Sequence, residues 1–141
     1  MEYKYSDITR LIIRAAMNVH VIPKNGFQEA IYKKALLVEF RLMSINFGKE
    51  ISIPIYYKNE ILGTRRVNFV VEKLISVELK ATTVLDNAHL NKGLNYLEAF
   101  NLEVGLLINF GAKSLEWKGF TIVNSIKIFN GMSIKKQSKI K

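Results

Sequence analysis

The run VGLLINF, residues 104–110, restricts the fold more than any other stretch of the chain. It shows no alternation of apolar and polar side chains, as expected for a strand covered on both faces. Such a strand needs a sheet with further layers packed on either side of it.

Upstream, the apolar spacing is helical. Ser6 precedes Ile8, Leu11, Ile12, Ala15, Ala16 and Val19, which predicts a helix with a serine cap that ends before Pro23. VIPKNG is a loop, because Pro23 disfavours helix in the residue before it and Asn25-Gly26 is turn chemistry. Phe27, Ile31, Ala35, Val38, Leu42 and Ile45 then form a stripe that predicts one long helix from about Gly26 to Ile45. In this reading Phe27 and Ile31 turn inward and Glu29 lies near the border of the buried face. Leu37, Phe40 and Met43 widen the stripe, so this helix should be covered on much of its circumference.

After Phe47 the pattern becomes that of strands. ISIPIYY is rich in β-branched and aromatic residues, Lys58-Asn59-Glu60 reads as a turn, and ILGTRRVNFVV reads as the antiparallel partner. Pro54 suits an edge position or a bulge. Glu72, read at the end of that second strand, begins a tight turn with Lys73 into LISVELKA, the third strand. Residues 85–100 return to helical spacing, weakened by Gly93, and LEWKGFTIV, 115–123, reads as a last strand. The order of helix, helix, three strands, helix, strand, strand predicts an α/β fold: a mixed sheet flanked by helices.

With 49% hydrophobic and 23% charged residues, the 141-residue chain suits one compact domain, assigned to residues 1–132. Residues 133–141 read as a basic tail. No apolar stretch approaches the roughly 18 to 20 residues needed to cross a bilayer. The polar start MEYKYSDITR lacks a secretory core, which suits a cytoplasmic protein with no membrane partner. Zero Cys excludes disulfides and thiolate metal sites, and two His, His20 and His89, cannot build a three-histidine site. The net charge is +9, but six lysines follow the last acidic residue, Glu116, which leaves 15 basic against 12 acidic residues, or +3, for the rest. The basic end can hold a nucleic acid backbone or an anionic surface, and equally can be a solvated terminus.

Glu78 and Lys80, in VELKA, sit two apart on the third strand and so share a face, about 7 Å apart at their backbones. A carboxylate there can hold a hard cation, and the lysine can orient a water that attacks a phosphate. Alone, Glu-x-Lys serves as well as a charge pair at a sheet edge.

The surrounding order resembles the PD-(D/E)xK nuclease superfamily. Gly26, Glu29 and Tyr32, in GFQEAIY, narrow the resemblance to its GxxExxY family, and AAMNVH, YYKNEILG, ISVELKA, LNYLEAF and VGLLINFG extend it over roughly residues 7–123. The resemblance implies a restriction-endonuclease-like fold and Mg2+ (or Mn2+) chemistry on nucleic acid, with DNA favoured. It implies Glu29 as the helix acid, Glu78 as the strand acid, Lys80 as the catalytic lysine and His20 as the histidine ahead of the signature glycine. Glu29 could instead pair with Lys33, His20 could be a helix C-terminal histidine favoured by the dipole, and Tyr32 could be core rather than site.

Two positions depart from the family pattern. Asn68 stands where the family has its metal-binding aspartate, in Arg66-Val67-Asn68, and Lys92 stands where it has a glutamine. Of the acids that could compensate, Glu72 lies four residues, about 13 Å, from Asn68 along a strand, and Asp86 is nearer in sequence to Lys80. With Asn68 as a weak third ligand, the resemblance implies a nucleic-acid-binding protein whose magnesium-dependent cleavage is weakened or lost. The alternative is an active endonuclease that uses Glu29, Glu78 and Lys80. Sixteen lysines against five arginines suit phosphate attraction of low sequence specificity. A small nuclease that cuts both strands is commonly a homodimer.

Overall fold

The computed structural model describes residues 5–21, 28–83, 85–123 and 126–134, with the side chains of 49–51, 53, 65–68, 96, 99, 100, 123 and 126–134 outside the description. The order is α1 (Ser6–His20), α2 (Glu29–Leu42), β1 (Phe47–Tyr57), β2 (Glu60–Val71), β3 (Ile75–Lys80), α3 (Asn87–Phe100), β4 (Val104–Asn109), β5 (Leu115–Val123) and β6 (Ile126–Ile134). The six strands form one sheet in sequence order. All neighbours are antiparallel except the central pair β3 and β4, which is parallel from Ile75↔Val104 to Lys80↔Asn109.

The central strands are buried on both faces, as the run 104–110 requires. Val77, Leu79, Leu106 and Ile108 pack under α1 and α2 with Ile12, Ala16, Leu36 and Phe40. On the other face Leu107 and Phe120 pack with Leu94 and Leu97 of α3. The result is three layers, with a helix pair on one side and a single helix on the other.

Several local features differ from the sequence reading. Tyr5, in the left-handed region at φ 59°, occupies the cap of α1, no side chain caps it, and Ser6 is already helical. The long helix is shorter than Gly26 to Ile45. Ser44, at φ 57°, turns the chain left-handed, and Ile45 N–H donates to Phe40 O at 2.9 Å, which closes α2 with a Schellman turn. Its buried side is Tyr32, Leu36, Leu37 and Phe40, while Ile31 is exposed. Ile31, Val38 and Leu42 of the apolar stripe therefore point outward, contrary to expectation, while Ala35 is partly buried against the core.

Glu72 and Lys73, at φ 53° and 60°, form the turn after β2, so Glu72 is not on the strand. Its carboxylate accepts from Asn46 N–H at 3.2 Å. Pro54 lies on the edge strand β1, one residue before a bulge at Ile55/Tyr56. The sequence reading stopped at β5, but β6 continues the sheet, and Ser133 and Ile134, assigned to the basic tail, pair with Glu116 and Leu115. Gly26 and residues 135–141 lie outside the described residues. No helix among the described residues is long and apolar enough to cross a membrane.

Candidate functional site

Ile75, Val77 and Leu79 belong to the core under α1 and α2, so alternation turns Ser76, Glu78 and Lys80 to the face that α3 covers. Glu78 is buried and Lys80, last in β3, is half-buried. The strand end is fixed by its neighbour, since Phe110 N–H donates to Lys80 O at 2.9 Å.

Asn109 fixes it further. Opposite Lys80 in the parallel register, it is 0% exposed, and all four of its hydrogen-bonding positions are used. Its Oδ1 accepts from Thr82 N–H at 2.9 Å and Gly111 N–H at 3.0 Å. Its Nδ2 donates to Thr82 O at 2.9 Å and Glu116 Oε1 at 2.8 Å. Gly111 is held so close that an added Cβ would stand 2.3 Å from Thr82 O. Sequence reasoning missed this clamp. Its only signal was one amide inside an otherwise apolar run.

The helix residues gather at the same end of the sheet. Tyr32 stacks on Phe110 with ring centroids 4.9 Å apart and planes 9° apart, and burial raises its phenol above the ordinary 10.0. His20 closes α1 with its ring 6.4 Å from that of Phe110, and its Nε2–H donates to Ala112 O at 3.0 Å. Glu29, the first residue of α2, is half-buried and lies in line with Leu36 and Phe40, so it continues the buried side of the helix to its N-terminal end. Because α2 covers one face of the sheet and Glu78 lies on the other, a ligand shared by Glu29 and Glu78 has to sit beyond the strand ends.

Other candidates stand apart. Asp86 caps α3, its carboxylate accepting from His89 N–H at 3.1 Å while His89 Nδ1 accepts from Asp86 N–H at 3.3 Å. Lys92 is exposed on α3. Asn68 lies on β2 one residue before the pair Phe69↔Val77, so its backbone is near that of Glu78, and its side chain is outside the described residues. Among the described residues no three His, Asp or Glu side chains converge to hold a metal ion.

The three-layer α/β sandwich, with three antiparallel strands followed by a helix and a strand parallel to the third, is that of a restriction-endonuclease-like fold. The family model of the PD-(D/E)XK nuclease superfamily matches residues 6–120, and the chain belongs to that superfamily. No curated protein matches the chain. Among solved structures it is similar to the crystal structure of SSO0001, with 13% identity, a TM-score of 0.38, and coverage of 91% of this chain and 78% of that one.

Proposed function

We propose that the chain is a nucleic-acid-binding protein of the GxxExxY type, acting on DNA in the cytoplasm with low sequence specificity, whose magnesium-dependent phosphodiesterase activity is weak or lost. The donor set carries this reading. Glu78 shares its sheet face with a neutral Ser76 and a cationic Lys80, and Leu107 is its neighbour on β4. Glu29 comes from the helix pair on the other side, and the β2 position nearest Glu78 holds an amide, Asn68. Magnesium dehydrates reluctantly and favours carboxylate oxygens in octahedral geometry, so this set does not fit a resident magnesium ion.

What remains suits phosphate binding. The Lys80 ammonium extends from a strand end whose backbone is held by Phe110 and, through Thr82, by Asn109. The net charge of +9 supplies attraction along the backbone of a nucleic acid without reading its bases. His20 and Tyr32 support the strand end by packing on Phe110.

The competing reading, an active endonuclease using Glu29, Glu78 and Lys80, draws support from the placement of Glu78 and Lys80 on one face of a central strand. Plasmid nicking with titrated magnesium or manganese separates the two. The wild-type chain is expected to bind duplex and cut little. Asn68→Asp restores an anionic oxygen at nearly constant volume and should raise cleavage at least tenfold, about 1.4 kcal/mol of transition-state stabilisation. Adding Lys92→Gln should raise it again by removing a positive charge, and Glu78→Ala should abolish the gain. A wild-type chain that cuts well and is indifferent to Asn68→Asp would overturn the proposal.

A further inference from the structure

The well-exposed large apolar side chains among the described residues fall in two places: the outer side of α1 and α2, and the tip of the β1–β2 hairpin. On α2, Ile31, Val38 and Leu42 are 44%, 50% and 75% exposed, and Ala35, partly buried against the core, falls between Ile31 and Val38, so the four follow at steps of four, three and four. The opposite side of this helix is already in the core. A helix apolar on both sides is ordinarily covered on both.

The spacing indicates what covers it. Steps of four, three and four are those of d, a, d and a positions in a heptad, the seam by which one helix packs against another. In that register Lys34 falls at g and Glu39 at the following e. Facing g and e positions carry the interhelical charge pairs of a parallel two-stranded seam, so Lys34 of each copy would meet Glu39 of the other. Reversing one helix would instead place Lys34 and Arg41, both on one flank of the seam, against the same cations of the second copy. Lys34 is exposed, and Glu39 is steadied from α1 by Asn18 Nδ2, which donates to its Oε1 at 3.0 Å. The small Ala35 allows helix axes to approach to about 8–10 Å.

We infer that the chain forms a two-fold dimer through α2, with the two helices parallel and in register. A stable interface of this kind buries roughly 800 Å² per partner. Parallel pairing sets the two α2 N-termini side by side, so both Glu29 ends open on the same side of the dimer. The interface does not depend on what the site binds or cuts.

Sedimentation equilibrium at micromolar concentration should give twice the 16.2 kDa chain mass. Val38→Glu with Leu42→Glu should raise the dissociation constant more than roughly a hundredfold with an unchanged circular dichroism spectrum. Lys34→Glu and Glu39→Lys should each weaken the dimer roughly fivefold, and the two together should restore it. The chain has no cysteine, so Leu42→Cys is a unique thiol, and the parallel seam alone brings it to its own symmetry mate for oxidative crosslinking. A monomeric wild type, a dimer untouched by the double glutamate variant, or crosslinking of Leu42→Cys only to an Ile31→Cys chain would each overturn the inference. Nucleic acid binding by the monomeric double variant reports on the proposed function separately.

Discussion

Asn109 meets Lys80 only because β3 and β4 run parallel, with the whole of α3 between them in the chain. Removing its amide breaks four hydrogen bonds in partly buried surroundings, each worth about 0.5–1.5 kcal/mol. Asn109→Ala should therefore lower the unfolding free energy by about 2–6 kcal/mol, measured in urea. Asn109→Asp should also destabilise, because it removes both N–H donors and sets a second carboxylate against Glu116. The residues legible in the sequence are those whose meaning is local. Glu78 and Lys80 share a face by alternation, and Pro54 marks the edge strand. Asn109 was opaque because its partners at Thr82 and Glu116 are brought to it by register between strands.

At the scale of elements, two glycines serve one ring. A Cβ on Gly93 of α3 would stand 2.3 Å from Phe120 Cζ, and one on Gly105 of β4 would stand 2.4 Å from Phe120 Cε2. The ring of Phe120 thus fills the space between helix and sheet and cannot retreat from one glycine without striking the other. Gly93→Ala, which helix propensity alone would favour by about 1 kcal/mol, should destabilise by about 1–3 kcal/mol through overpacking. Its urea midpoint should fall, and Phe120→Leu should recover part of the loss. The sequence presented Gly93 as a weakness of the helix because the ring it accommodates is 27 residues away in the chain. The phase of α2 was misread for a related reason: the helix carries two apolar sides, and periodicity cannot tell which one the sheet covers. Strand β6 escaped because the lysines that follow it suggested a solvated end.

The positive charge of the whole molecule is concentrated towards its C-terminal end. Lys135, Lys136, Lys139 and Lys141 follow Ile134, the last residue of β6, so truncation at 134 removes four cations and keeps β6 whole. If all four contact duplex phosphates, the slope of log affinity against log salt should shrink by about 3 to 4, read from binding titrations across salt concentrations. An unchanged slope would assign the attraction to the folded body. The sheet order carries a consequence of another kind. Strands β1 to β3 form one meander and β4 to β6 a second, and the parallel pair β3 and β4 joins them across the α3 crossover. Each meander closes short loops, whereas the join closes a long one and is entropically the slowest contact to establish. The halves can thus form early and dock late, so Leu79, Leu107 and Asn109 along the join should show low φ-values in folding kinetics while hairpin residues such as Val70 show high ones. The candidate site, built on the ends of β3 and β4, would then be among the last parts of the molecule to exist.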